Sequence, residues 1–140
     1  MASQSQDLYA VADFCLIPMG TGETSVAEYI AECARILEKS GLKHQLNLYL
    51  QHLGYLLTAP SHNSPTPLNR SGYGTNLEGP WTQVSQAIHD CHAAVHAKGA
   101  PRVATDIRIG TRVDREIAPG TGNASKLQRV QDILAKDKKE

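Results

Sequence analysis

A run of alternating apolar and polar side chains constrains the fold of this chain more than any other segment. Residues 103–109, VATDIRI, follow Gly99-Ala-Pro and end at Gly110. Successive side chains of a strand leave the backbone on opposite faces, so the run predicts a half-buried β-strand. Its polar face carries Asp106 and Arg108, and we expect these two to form an exposed or intersubunit ion pair.

Composition limits both the size and the partners of the protein. A chain of 140 residues is long enough for a single domain with one modest core. Its 14 basic and 14 acidic residues balance, so no overall field favours nucleic acid or anionic lipid. No apolar run approaches the roughly twenty residues that cross a bilayer. Cys15, Cys33 and Cys91 lie singly in apolar segments, which favours buried, reduced thiols and a cytoplasmic protein.

Apolar periodicity predicts the order of the elements. Residues 12–19 read as a first strand, and Ser25-Val-Ala-Glu28 reads as a capping box that starts a helix ending at Gly41. Residues 42–47 and 73–77 are predicted as the second and third strands. A second helix follows Pro80 and ends near Gly99, with these side chains directed to the core: Trp81, Val84, Ile88, Cys91 and Val95.

With the strand at 103–109, this order is β-α-β-β-α-β and predicts an α+β, ferredoxin-like sandwich. Right-handed crossovers place both helices on one face of a four-stranded antiparallel sheet. The other face stays open, and either Phe14 with Leu16, or Cys15 with Ile17 and Met19, must supply its apolar surface. Such a face is usually covered by a partner, so we expect self-association.

Two segments fall outside this plan for a single domain whose core spans residues 12–116. Residues 125–140 predict a short amphipathic C-terminal helix that ends in a charged tail. Residues 48–71 lie where a hairpin of a few residues is expected. They are either an inserted surface loop or the translation of a retained intron.

Four segments, CLIPMGTG, AECARILEKSGLK, GYGTNLEGPW and GAPRVATDIRIGTR, occur in this order. Together they resemble the YkoF-like thiamine-binding protein family over residues 12–116. The resemblance implies a non-catalytic, cytosolic homo-oligomer, a dimer of dimers, that binds thiamine or its hydroxymethylpyrimidine part and needs no further cofactor. Family members pass from the second strand to GYGT almost without a loop, so residues 48–71 depart from the family pattern.

Thiamine presents an aminopyrimidine edge that needs hydrogen-bond partners, and a thiazolium cation that needs a carboxylate or an aromatic face. Glu78 or Asp106 could meet the cation or the exocyclic amine. Thr21 has an alternative interpretation as a turn residue, and Glu78 as a favourable charge at the positive end of the second helix. The candidate ligand contacts are Gly20, Thr21, Gly22, Thr75, Glu78, Thr105 and Asp106.

Three other functions remain open at this point. An assembly module without a small-molecule ligand is the main alternative. His89, His92 and His96 recur at helical spacing and could bind zinc, but a solvated helix face is the preferred interpretation, since one helix rarely provides three ligands to a tetrahedral metal. Catalysis is not expected, because the cysteines lie in apolar stripes and no Ser-His-Asp or phosphate-binding glycine pattern is present.

Overall fold

The computed structural model describes residues 7–46 and 74–137, which form four strands and three helices. The predicted insertion at 48–71 lies outside the described residues. The C-terminal helix begins at Gly122, three residues before the expected start. The elements are β1 (Tyr9–Met19), α1 (Ala27–Ser40), β2 (Lys43–Leu46), β3 (Thr75–Pro80), α2 (Trp81–Ala97), β4 (Arg102–Thr111) and α3 (Gly122–Asp137).

The four described strands form one antiparallel sheet in the order β2-β3-β1-β4. β3 separates β1 from β2, and β1 separates β3 from β4, so the two β-α-β units interleave. The predicted α+β class and antiparallel sheet are confirmed. The strand order is also consistent with the ferredoxin-like sandwich.

Alternate residues of β1 decide which face of the sheet is the core. Phe14 and Leu16 are buried and cluster with residues of both α1 and α2, so these helices pack on the same face. The opposite row of β1 carries Cys15, Ile17 and Met19, which makes this row the apolar part of the open face. The buried residues that the helices contribute are Tyr29, Cys33, Leu37, Val84, Ala87, Ile88, Cys91 and Val95.

Three local predictions were wrong. Trp81 was predicted to point into the core, but it is 41% exposed. It is the first residue of α2, and its backbone N–H donates to the carbonyl of Leu8, just before β1, at 2.7 Å. The capping box does not form, since α1 begins at Ala27 and Glu28 pairs instead with Lys98. The third strand continues through Glu78 to Pro80 and does not end at Leu77.

The ion pair on the open face also differs from the prediction. Arg108 pairs with Asp13 of β1, with Nε to Oδ1 at 3.2 Å, and not with Asp106. Asp13 lies directly opposite Arg108 in the register, whereas Asp106 lies opposite Cys15. Residues directly opposite on neighbouring strands are closer than residues two apart on one strand, which explains the choice of partner.

A buried carboxylate attaches α3 to the open face of the sheet. Glu78 is 3% exposed, and its Oε2 accepts hydrogen bonds from the Gly122 N–H and the Tyr9 hydroxyl, each at 2.7 Å. Its Oε1 accepts from the Asn123 N–H at 3.2 Å, and the Tyr9 oxygen accepts from the Gly120 N–H at 2.8 Å. We call these five residues the Glu78 cap. It satisfies free amides at the start of α3 and places a negative charge at the positive end of the helix.

This arrangement corrects one sequence interpretation. Glu78 was expected to favour the positive end of the second helix, but it caps α3 instead. β3 continues past Glu78, and its register with Val11 turns the carboxylate to the open face, away from α2. Gly122 fits the cap because a Cβ there would lie 2.5 Å from Val11 Cγ2 and 2.7 Å from Glu78 Oε2.

The Glu78 cap gives the first prediction. Replacement Glu78→Gln removes the charge and directs an amide NH₂ toward other donors, so the free energy of unfolding should fall by about 1–3 kcal/mol. Urea denaturation measures this loss. Amide hydrogen exchange in the first turn of α3 should also become faster than in wild type.

The matched control is Glu38→Gln, which makes the same change at an exposed position of α1. It should alter stability only slightly. Equal effects of the two replacements would show that the cap does not hold α3.

Candidate functional site

A cavity of about 610 Å³ lies beside the Glu78 cap. Val11 of β1 forms part of its lining, together with the end of β4, the segment 112–121 and the first turns of α3. Pockets of roughly 300–1,000 Å³ are typical of small-molecule sites, so the size suits a ligand of one or two rings. The lining residues are Val11, Gly110, Thr111, Arg112, Asp114, Arg115, Glu116, Ile117, Ala118, Thr121, Gly122, Ser125, Lys126, Gln128 and Arg129.

The walls of the cavity are held by the chain's return to the open face after β4. Thr121 closes a turn, in which its N–H and its hydroxyl both donate to the carbonyl of Ala118, at 3.0 Å and 2.6 Å. Gly120 takes a left-handed φ of 79° and donates its N–H to Tyr9 within the Glu78 cap. The cap therefore fixes both the segment 112–121 and α3 relative to the sheet.

The lining is rich in charge. Arg112 Nε donates to Asp114 Oδ1 at 2.6 Å, and this bond with the guanidinium lowers the pKa of Asp114 to about 2. Arg129 Nε donates to the carbonyl of Ser125 at 3.2 Å, which turns its guanidinium back along α3. Arg115 and Lys126 have no carboxylate within ion-pair distance among the described residues.

The cavity also offers groups that suit a flat heterocycle. Val11, Ile117 and Ala118 are apolar side chains against which a ring face can pack. Thr111 supplies a hydroxyl, and Glu116 supplies a carboxylate without a cation at ion-pair distance in the described part of the chain. An acceptor, a donor and an apolar wall therefore occur together.

The seven sequence-predicted contacts do not converge on one place. Gly20, Thr21 and Gly22 follow the far end of β1, where Thr21 Oγ1 bonds to both the N–H and the carbonyl of Glu23, as expected of a turn residue. Thr75 is buried on the helix-covered face, and Thr105 lies on that face beside α2. Asp106 is exposed on the open face. Glu78 is the one candidate next to the cavity, through Gly122, and its carboxylate is occupied by the cap.

The cavity residues themselves were missed by the sequence analysis. Arg112 follows the end of β4 and pairs with Asp114, its neighbour two residues further along the chain. Arg115, Lys126 and Arg129 carry no motif, and they come together because Glu78 binds Gly122, which is 44 residues away in the chain. The only signal in the sequence is the density of basic residues between 112 and 129.

The histidine stripe does not form a metal site. His89 contacts Asp90 at 3.1 Å, His92 Nε2 shares a 2.6 Å hydrogen bond with Thr105 Oγ1, and His96 Nδ1 lies 2.8 Å from the carbonyl oxygen of Ala100. Each imidazole thus has its own partner. Within residues 7–46 and 74–137 no three His, Cys, Asp or Glu side chains are grouped to hold a metal ion, so the structure does not support the zinc alternative.

Cys91 has the character of a structural thiol. Cys91 and Cys33 lie at the contact of α2 and α1, with Cys91 Sγ 3.8 Å from the Cys33 carbonyl. The hydrogen bond with Cys33 and, after it, burial raise the pKa of Cys91, which keeps the thiol protonated. A protonated, buried thiol is a poor nucleophile.

His92 gives a prediction on pH dependence. Burial, and then the nearby His96 and His89, lower the pKa of His92 below its ordinary value of 6.5. The unfolded chain therefore binds more protons than the folded chain below that value, and the free energy of unfolding should fall as pH drops through it. Denaturation at about pH 7.5 and about pH 5 measures the fall, which should be smaller in His92→Gln than in wild type.

His89→Gln is the control, because the His89 side chain is 73% exposed and is the last-ranked of the groups that lower the pKa of His92. It should reduce the pH dependence less than His92→Gln does. A His92→Gln protein with the full wild-type pH dependence would contradict the prediction.

Comparisons with known proteins place this arrangement in a family. The family model described as "Thiamine-binding protein" matches residues 12–49 and 62–131. A UPF0045 protein of Synechocystis is 38% identical over 105 residues, which are 75% of this chain and 66% of the relative, so the match spans about two thirds of that protein. A UPF0045 protein of Bacillus subtilis is 34% identical over 125 residues, covering 89% of this chain and 97% of the relative.

Solved structures support the fold. A hypothetical protein of Methanocaldococcus jannascii has a TM-score of 0.61 at 23% identity and covers 88% of this chain and 96% of its own. A candidate thiamine biosynthesis/salvage protein of Thermotoga maritima has a TM-score of 0.55 at 11% identity, with 84% and 97% covered. None of the described helices has the length and hydropathy to span a membrane. By the extent of the family match and the identity to these relatives, the chain belongs to the thiamine-binding protein family.

Proposed function

We propose that this protein binds thiamine or a related hydroxymethylpyrimidine, without turning it over, in the cavity beside the Glu78 cap. The observation that carries the proposal is the coincidence of a thiamine-binding family match with a cavity of about 610 Å³ whose lining residues, apart from Val11, lie inside the matched region. The Thermotoga neighbour, described in terms of thiamine biosynthesis or salvage, agrees with this class of ligand.

The cavity chemistry matches an aminopyrimidine. The exocyclic amine is a donor, and Glu116 offers it an acceptor. The ring nitrogens are acceptors, and the Thr111 hydroxyl can donate to one of them. Val11 and Ile117 cover a ring face, which adds apolar burial to these hydrogen bonds.

The sequence-predicted contacts take different parts in this proposal. Glu78 acts indirectly, because it holds α3 and the segment 112–121 in place. Thr75 is buried, and Thr105 bonds to His92. Thr21 and Asp106 lie outside the cavity. They stay predictions, and they could contact a ligand only if it bound at another site on the molecule.

A calorimetric titration tests the proposal. Thiamine and hydroxymethylpyrimidine should each be added to the protein, and at least one should release or absorb heat with saturation at one site per chain. Glu116→Gln removes the acceptor for the amine and should weaken binding by about tenfold, the effect of losing one hydrogen bond to a charged group.

Asp106→Asn is the matched control, since it makes the equivalent change at the predicted contact on the open face. It should leave affinity unchanged. Loss of binding in Asp106→Asn but not in Glu116→Gln would move the site away from the cavity, to the part of the open face around Asp106. Absence of heat with either compound would favour the alternative function, an assembly module with no small-molecule ligand.

We further propose that the protein acts as a cytosolic homo-oligomer, a dimer of dimers. β4 is an edge of the sheet, and edge strands carry free backbone groups that pair with other chains. Its helix-side row exposes Ile107 at 46% and Ile109 at 37%. α3 exposes Val130, Ile133 and Leu134. Apolar groups grouped in this way favour burial against a second copy.

Sedimentation velocity tests self-association. Wild type should sediment as an oligomer at micromolar concentration, and Ile107→Asp should shift it toward the monomer because the charge opposes burial at the edge of the sheet.

Val113→Asp is the control, since Val113 is 86% exposed and lies beyond the end of β4. It should not change the sedimentation coefficient. A wild-type protein that stays monomeric at these concentrations would contradict the proposal.

A further inference from the structure

The charge of the cavity is unlike that of the chain as a whole. The chain has equal numbers of basic and acidic residues, 14 of each. The cavity lining has four basic side chains and only two acidic ones. The basic residues are Arg112, Arg115, Lys126 and Arg129, and the acidic residues are Asp114 and Glu116.

Internal pairing removes only part of this positive charge. Arg112 and Asp114 neutralise each other through two hydrogen bonds. Arg129 is oriented by a carbonyl oxygen. Arg129, Lys126 and Arg115 meet no carboxylate at ion-pair distance within the described ranges. Among the described residues of the lining, three basic residues without an ion-pair partner therefore stand against one such carboxylate, Glu116.

The neighbouring Glu78 does not restore the balance. Its carboxylate is 3% exposed and is fully engaged by the N–H groups of Gly122 and Asn123 and by the Tyr9 hydroxyl. The positive end of α3 and these donors offset its charge. The field inside the cavity is consequently set by the basic side chains of the lining.

This field bears on which ligand the cavity can take. A thiazolium cation would be repelled by the surplus of positive charge, whereas an anion would be attracted. Arginine and lysine side chains recognise phosphate through charge-assisted hydrogen bonds. Glu116 remains available for the amine of a pyrimidine, so the two ends of the ligand would meet groups of opposite charge.

We infer that the cavity contains a phosphate subsite and that the preferred ligand is a phosphate monoester of a pyrimidine, not the free alcohol. The inference rests on the proposed function for the pyrimidine part and on Arg115, Lys126 and Arg129 for the phosphate part. Hydroxymethylpyrimidine phosphate is the simplest compound of this class. Thiamine phosphate is a second one, in which the charge of the phosphate outweighs the single positive charge of the thiazolium.

Calorimetry with five probes tests the inference: hydroxymethylpyrimidine, its phosphate, thiamine, thiamine phosphate and inorganic phosphate. Each phosphate ester should bind at least about tenfold more tightly than its free alcohol. The advantage should shrink as sodium chloride is raised, because salt screens the basic side chains.

Lys126→Gln and Arg115→Gln should each reduce the advantage of the phosphate esters severalfold while leaving the affinity for the free alcohols nearly unchanged. The matched control is Lys136→Gln, which makes the same change further along α3, outside the cavity lining. It should preserve the advantage. Circular dichroism verifies that all three variants keep the wild-type fold.

The outcomes separate the two proposals. Equal affinity for the free and phosphorylated forms would overturn the phosphate subsite and leave pyrimidine binding intact. Failure of all four pyrimidine compounds to bind would overturn the proposed function. In that case, binding of inorganic phosphate that Lys126→Gln abolishes would still support the phosphate subsite, and no binding of phosphate would overturn it as well.

Discussion

The Glu78 carboxylate is the interaction on which the arrangement of the open face depends. A buried carboxylate is costly unless donors surround it, and here two backbone N–H groups and the Tyr9 hydroxyl do so. In turn the carboxylate accepts hydrogen bonds from the free backbone N–H groups at the start of α3, a helix in which Gly122 is the one buried residue. Burial raises the pKa of Tyr9, which keeps its hydroxyl protonated as a donor to Glu78. The Glu78 carboxylate therefore holds β3, α3 and, through Tyr9, the segment 112–121 together.

The two faces of the sheet serve different purposes. The face under α1 and α2 is apolar and closely packed, with Leu37, Leu77, Val84, Cys91 and Val95 almost completely buried. It supplies the stability of the domain. The open face carries the Asp13–Arg108 pair, the Glu78 cap and part of the cavity wall. The polar groups thus lie on the face that is not part of the core. This is possible because alternate side chains of β1 point to opposite faces of the sheet.

Prediction from sequence succeeded where a local pattern determines the outcome. Gly41 ends α1 in the left-handed conformation, as its position after a helical stripe predicts. Tyr29, Cys33 and Leu37 of α1 and Val84, Ile88 and Cys91 of α2 are buried at the predicted spacing. Prediction failed where two segments compete for one partner. Arg108 could meet Asp106 or Asp13, and only the register of β1 with β4 selects Asp13.

The sequence by itself determined the class of fold, the order of its elements and the faces that α1 and α2 bury, because apolar periodicity is a local property that burial enforces. Its four motifs were also enough to indicate the family that the comparison identifies. Only the tertiary structure decided that Glu78 caps α3 and that Arg115, Lys126 and Arg129 line one cavity. These contacts join residues far apart in the chain, and their geometry is set by strand register and by a helix end, neither of which leaves a periodic trace in the sequence.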